Sequence, residues 1–219
     1  MRPRIADQAH LSLRLLAAAP LTALIGWTPV AQAQSTEVEA CLVATQQFSR
    51  DARDLCDQAL KVNGLSDDDR AQALLGRGIA NTFAKDYPAA IADFTESIKL
   101  ADGTATTYLM RGVAYRDLGK DDLAIADFGK TIELRPTMPA AYSDRAELLI
   151  KHQDWFNALT DLDQLLKLTP KDPGALFLRG YAHEKLHHPE EASANYTAAR
   201  ALDPRIDDEM RQNGFVPGG

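Results

Sequence analysis

Two cysteines, Cys41 and Cys56, are all that this chain of 219 residues contains. A structural zinc site wants four ligands, and none of the five histidines lies near that pair in sequence. The spacing is not the Cys-x-x-Cys of a redox motif either. Positive charge is scarce. Lys and Arg number 24 against 31 Asp and Glu, and the formal charge of −7 opposes binding to nucleic acid or to an anionic membrane surface. Long apolar runs are missing: the longest, Leu15 to Val30, is about 16 residues and is broken by Pro20 and Pro29, whereas a spanning helix needs roughly 20. No glycine-rich phosphate loop, Ser-His-Asp ordering or clustered carboxylate pair stands out, so nothing points to an enzyme, a catalytic residue or a cofactor.

What is present at the start reads as an export signal. Arg2, Arg4 and Arg14 precede the apolar run, and Ala31-Gln32-Ala33 is a small-x-small cleavage pattern with Gln34 as the first mature residue. A cleavable signal over 1–33 is therefore expected, with no membrane insertion after its removal. Without its three arginines and Asp7, 21 basic residues face 30 acidic ones, a charge of −9. Export implies an oxidising compartment, where an isolated cysteine pair usually joins, so a Cys41–Cys56 disulfide is expected. Closing so short a loop contributes on the order of 3 kcal/mol.

The rest of the chain is periodic. Gly78, Gly112, Ala146 and Gly180 form one evenly spaced column, and Ala90, Ala124, Ala158 and Ala192 a second. Phe94, Phe128, Leu162 and Tyr196 form a third, Arg77, Arg111, Arg145 and Arg179 a fourth, while Pro136, Pro170 and Pro204 close three units. A fixed period of about 34 residues signals stacked helical hairpins. Tyr108, Met110, Gly112, Tyr115 and Leu118 recur at helical spacing, Gly119-Lys120-Asp121 makes a turn, and Leu123 to Leu134 forms the second helix. Proline ends it, since the residue before proline avoids the helical region. Gly112 and Ala124 lie on opposite sides of the turn, so small residues at both are expected to let the two backbones approach, with Phe128 filling the wedge where the pair opens. Bulk at either small position should overpack the hairpin.

The phrase Arg111-Gly112-Val113-Ala114-Tyr115, then Ala124-Ile125-Ala126-Asp127-Phe128, closed by Pro136, resembles the tetratricopeptide repeat (TPR) in its bacterial form, without a gap from Ala71 to Pro204. Ala146 replaces glycine and Leu162 the aromatic in the third unit, and Asp102 stands where the first unit would carry proline. The resemblance implies an all-α, right-handed α-solenoid of helix-turn-helix repeats. The expected order is a degenerate capping hairpin over 34–70 held by the disulfide, units at 71–104, 105–138, 139–172 and 173–204, a capping helix over 205–213 and a disordered tail over 214–219. Cys41 and Phe48 are expected on the first helix of the leading hairpin.

In this family the first helix of each unit lines a concave groove. The resemblance places Leu75, Ile79, Phe83, Leu109, Val113, Arg116, Glu147, Lys151, Phe177, Tyr181, Glu184 and Lys185 there. Leu75 and Ile79 stand where some members carry the Lys and Asn that clamp a C-terminal carboxylate, so that clamp is not expected. Apolar anchors with scattered charge suit a peptide or helix of another protein. The implied role is a non-enzymatic scaffold or adaptor, exported and periplasmic or secreted; the alternatives are a homo-oligomeric envelope component and, further off, a metal-binding or enzymatic factor.

Asp93, Asp127, Asp161 and Asn195 each follow an arginine of the fourth column at one constant spacing, which predicts an internal ion-pair ladder within units or between them. His183 and His187, one helical turn apart, have a metal-compatible spacing, but His183 shares a packed column with Tyr115 and Leu149 and lacks further ligands, so no metal site is expected.

Overall fold

The structure, a computed structural model, describes residues 29–218, with side chains from Thr36 onward. The basic start and nearly all of the apolar run of the expected signal lie outside the described residues. Among those described there are eleven helices and no strand. A leading hairpin, α1 (Pro29–Gln46) and α2 (Ala52–Leu60), is followed by α3 (Asp67–Phe83) and α4 (Tyr87–Ala101), α5 (Ala105–Asp117) and α6 (Asp121–Leu134), α7 (Pro139–Lys151) and α8 (Trp155–Leu168), and α9 (Pro173–Lys185) and α10 (Pro189–Leu202). The short α11 (Ile206–Gln212) closes the array. Each helix packs on its neighbours in sequence, and the first helices of successive hairpins also meet, which is the arrangement of an α-solenoid.

The helix starts are written in the local sequence. Ser66, Asp86, Thr104, Asp154 and Asp172 each accept a backbone N–H from the residue three positions on, satisfying one of the orphan donors of a helix N-terminus. Proline occupies the first turn of α4, α7, α9 and α10, where its missing N–H costs nothing. Between the helices of each unit one residue turns left-handed: Lys85, Gly119, Gln153 and His187. Only Gly119 adopts that conformation without a Cβ penalty. Asp102 explains the missing proline of the first unit: it caps α4 with φ of 52° and is followed by Gly103 at 67°. A left-handed pair ends the helix as effectively as Pro136 does later.

The small-residue columns have a sharper cause than close backbones alone. A Cβ on Gly78 would lie 2.5 Å from the ring of Phe94, and one on Gly112 2.7 Å from Phe128. On Gly180 it would meet Tyr196 at 3.0 Å and the Ala192 carbonyl at 3.2 Å. Each glycine seats the aromatic ring of its own hairpin's second helix, and only in the fourth unit does backbone approach match it. Ala146 and Leu162, both fully buried in one cluster, occupy the same register in the third unit. Their two departures are therefore one: a methyl is added where the facing ring has been replaced by a branched aliphatic group.

Cys41 on α1 and Cys56 on α2 are joined by a disulfide and fully buried. Gly76 of α3 crosses it so closely that a Cβ there would sit 2.8 Å from the Cys41 sulfur. The bridge thus joins the helices of the leading hairpin where the first unit covers them. Phe48 departs from expectation. It lies beyond the end of α1, in the turn, with φ of 51°.

The C-terminal segment also departs from expectation. Ile206 anchors α11 in the core, and the chain after it is placed against the array instead of trailing free. Gly214, at φ of 90°, reverses the chain, the Phe215 N–H donates to the Met210 carbonyl at 2.9 Å, and Phe215 packs against the same core cluster.

Candidate partner-binding groove

The arginine column is satisfied internally. Arg111 forks onto Asp127 at 2.7 and 2.8 Å, Arg145 onto Asp161 at 2.7 and 2.6 Å, and Arg77 onto Asp93 at 3.0 and 2.6 Å. Arg179 donates to Asn195 at 2.8 Å. The remaining guanidinium nitrogen reaches the preceding hairpin: Arg77 to Asp57 at 2.8 Å, Arg111 to Thr95 at 3.2 Å, Arg179 to Asp163 at 2.9 Å. The ladder therefore runs both within units and between them. Paired carboxylates hold the guanidinium pKa values of Arg77, Arg111 and Arg145 above the ordinary arginine value, so these cations are committed to structure.

With the ladder accounted for, the groove residues divide in two. Toward the N-terminus, Leu75 and Ile79 are half-buried against Ala90 and Phe94, and Leu109 and Val113 against Phe128. Phe83 remains 61% exposed and meets Phe48 edge to face at 4.9 Å. The leading hairpin therefore supplies a wall here. Phe48, Ile79, Phe83, Arg50 and Arg53 line a cavity of about 480 Å³.

Toward the C-terminus the groove is polar and aromatic. Arg116, Glu147, Lys151 and Tyr181, from three successive first helices, surround a cavity of about 770 Å³, with Trp155 and Phe215 as further walls. Arg116 donates to Asp117 at 3.0 Å and to Asp144 at 2.5 Å, across the unit boundary. Burial raises the carboxyl pKa values of Asp144 and Glu147, and the proximity of Asp144 raises Glu147 further, against the opposing pull of Arg116. Lys151 reaches back to Asp121 at 2.6 Å, a bond that lowers the pKa of that carboxylate. Tyr181 has Trp155 at one edge, 6.3 Å away, and the Lys185 ammonium 5.0 Å from its ring centre. Glu184 accepts the Tyr196 hydroxyl at 3.0 Å.

Phe177 does not belong to this surface. It is fully buried and packs its ring 5.0 Å from that of Tyr196. The family resemblance assigned it to the groove, but Ile206 and Met210 of α11 and Phe215 of the tail join its cluster and extend the core outward. His183 and His187 are not brought together: His183 Nδ1 lies 3.5 Å from His188 Nδ1, while His187 sits exposed at the left-handed turn. Burial lowers the His183 pKa, and no cluster of three or more metal-ligating side chains exists among the described residues. Asn213, Gly214 and Phe215 are groove-lining residues that sequence reasoning missed. Phe215 was the available signal, a bulky aromatic in a tail otherwise made of small residues and proline.

Stacked hairpins with a seated ring in three of the four units, a guanidinium ladder and a cavity lined from successive first helices define an α-solenoid of helical repeats. Family models described as tetratricopeptide repeat match residues 38–105, 105–138 and 143–205, and the chain belongs to that family. It has the fold of a protein-interaction module. The first match begins within α1, so the leading hairpin is itself a repeat.

The chain is 33% identical over 98 residues to the human mitochondrial import receptor subunit TOM70, and 34% identical over the same length to the rat protein. These matches cover 42% of the chain but only 16% of either relative. Among solved structures, YrrB, described as a TPR protein with an unusual peptide-binding site, superposes with a TM-score of 0.70 at 16% identity, over 85% of this chain and 98% of that one. MamA from AMB-1 gives 0.70 at 18% identity, over 83% and 97%. At such identities the structural likeness shows the fold alone. No helix among the described residues is long and apolar enough to cross a membrane.

Proposed function

We propose that the chain is an exported adaptor that holds a peptide segment of another protein in its concave groove, without catalysing a reaction on it. The observation that carries this reading is the cavity of about 770 Å³ in which Arg116, Glu147, Lys151 and Tyr181 converge from three separate units. Aromatic surface flanked by charges of both signs suits a peptide, which needs both an apolar anchor and polar registration. The description of YrrB as carrying a peptide-binding site and of TOM70 as an import receptor is consistent with it. Export rests on the basic-apolar-small pattern of residues 1–33 and on a buried disulfide, which suits an oxidising compartment. A periplasmic or secreted location is the reading of that export pattern taken with the resemblance of the repeat phrase to the bacterial form.

The test is affinity capture with the full chain from its native compartment, comparing wild type with Tyr181→Ala and Lys151→Ala. Partners held by the groove are lost from both variants while the melting temperature stays within a few degrees. Undiminished capture by both moves the binding surface elsewhere.

A further inference from the structure

The groove already holds something. Phe215 sets its ring edge-on to Tyr181 at 5.8 Å, on the same aromatic surface that Trp155 borders. Three residues later the Gly218 N–H donates to Glu184 at 2.8 Å. Gly214 and Gly218 both lie at left-handed φ, 90° and 76°, so the segment is turned at each end by residues without a Cβ penalty. Between these points Val216 stays exposed and Pro217 half-buried, which leaves two anchors, one ring and one backbone donor. The segment also forms one wall of the cavity whose other walls include Arg116, Glu147, Lys151 and Trp155.

We infer that residues 214–218 are an intramolecular occupant of the partner site, and that the partner is a short, uncharged segment with the same features: an aromatic side chain for Tyr181 and, three residues on, a free backbone N–H for Glu184. This deepens the groove reading and rests on it. A tethered segment competes at a high effective concentration set by its short connection to α11, so the groove opens only to a partner that binds better than the tail or contacts the cavity as well. Tail release then sets a threshold for binding and needs no rearrangement of the hairpins.

The probe is a fluorescein-labelled peptide copying residues 213–219 (Asn-Gly-Phe-Val-Pro-Gly-Gly), titrated by fluorescence anisotropy into the full chain. Phe215→Ala removes the tail's anchor and should bind the peptide at least tenfold more tightly than wild type. Adding Tyr181→Ala should abolish the gain. Gly218→Pro, which removes the donor N–H and cannot adopt the left-handed φ, should move affinity the same way by a smaller factor without touching the core. Equal affinity of wild type and both tail variants overturns the inference, and so does absence of binding by all of them at millimolar peptide. Either failure, set beside capture that still depends on Tyr181, removes the tail's role and leaves the groove reading standing; loss of both removes the groove as well.

Discussion

The second and third hairpins occupy equivalent positions in the array and solve the same packing problem differently. In α5–α6 the core is a seated ring with polar ties: Phe128 against Gly112, Thr131 bonded to the Ala105 carbonyl at 3.3 Å, and Arg111 held by both Asp127 and Thr95. In α7–α8 it is a leucine-rich cluster, with Leu162 for the aromatic, Leu165 at the position of Thr131, and Leu149 and Ile150 buried beside them. Arg145 keeps its fork on Asp161, but its back-contact has vanished, because Gly129 stands where the preceding unit has Thr95. A repeat thus fixes volume and register at each column and leaves the identity of the filler free.

The largest expected difference concerns that fork. The Asp161 side chain is only 3% exposed, and Arg145 is its sole side-chain partner among the described residues. Arg145→Ala therefore leaves a buried carboxylate without compensation and should cost about 3–5 kcal/mol in denaturant unfolding. The pair Arg145→Met with Asp161→Leu removes both charges into an already apolar unit and should restore most of that loss. If Arg145→Ala unfolds within about 1 kcal/mol of wild type, far below the usual cost of breaking a buried pair, the ladder is decoration and the leucine cluster alone holds the third hairpin.

The ring-seating pair gives the next effect. Gly112→Ala drives a methyl into the fully buried Phe128 ring, and overpacking of roughly 1–3 kcal/mol outweighs the gain in helix propensity of about 1 kcal/mol. Adding Phe128→Leu rebuilds the third unit's solution in the second. The double variant should be more stable than the sum of the single effects by more than about 0.5 kcal/mol, the usual tolerance for independent sites. The reverse exchange, Ala146→Gly with Leu162→Phe, should couple with the same sign. Additivity in both cycles would mean that the two columns do not choose each other.

These experiments mark how far the sequence could be read. Period and fold class followed from columns of small and aromatic residues, because a repeat of about 34 residues has few ways to bury its faces. The constant arginine–aspartate spacing announced the ladder, yet whether it crossed units depended on side-chain reach and was not legible. Phe177 and the tail were misread for one reason. Neither an aligned repeat pattern nor a composition of glycine and proline says what packs against a residue from outside its own unit. α11 and Phe215 cover the last hairpin, so a groove position became core and a presumed free end became a wall.

The smallest effect sharpens the comparison at the groove surface, where Met110 and Val113 of the second unit are replaced by Asp144 and Glu147 in the third. Burial holds the Glu147 pKa above its unfolded value, and the charge of Asp144 adds to this. The folded state therefore keeps a proton that the unfolded chain releases near pH 4.3. The sign follows: stability from this group is present below that value and is lost as pH rises through the raised folded pKa. Asp121 behaves oppositely, since Lys151 lowers its pKa, and its contribution is lost only as pH falls below the ordinary aspartate range. The two windows lie on either side of the unperturbed carboxyl values and separate in a difference measurement. Glu147→Gln should flatten the decline in unfolding free energy between about pH 4.3 and neutrality, leaving the acid limb unchanged. Arg116 remains paired with Asp144 and Asp117 in that variant, so no new unpaired charge confuses the result. A decline as steep as in wild type would place its origin outside Glu147, with Asp144, whose carboxyl pKa burial also raises, as the next group to neutralise.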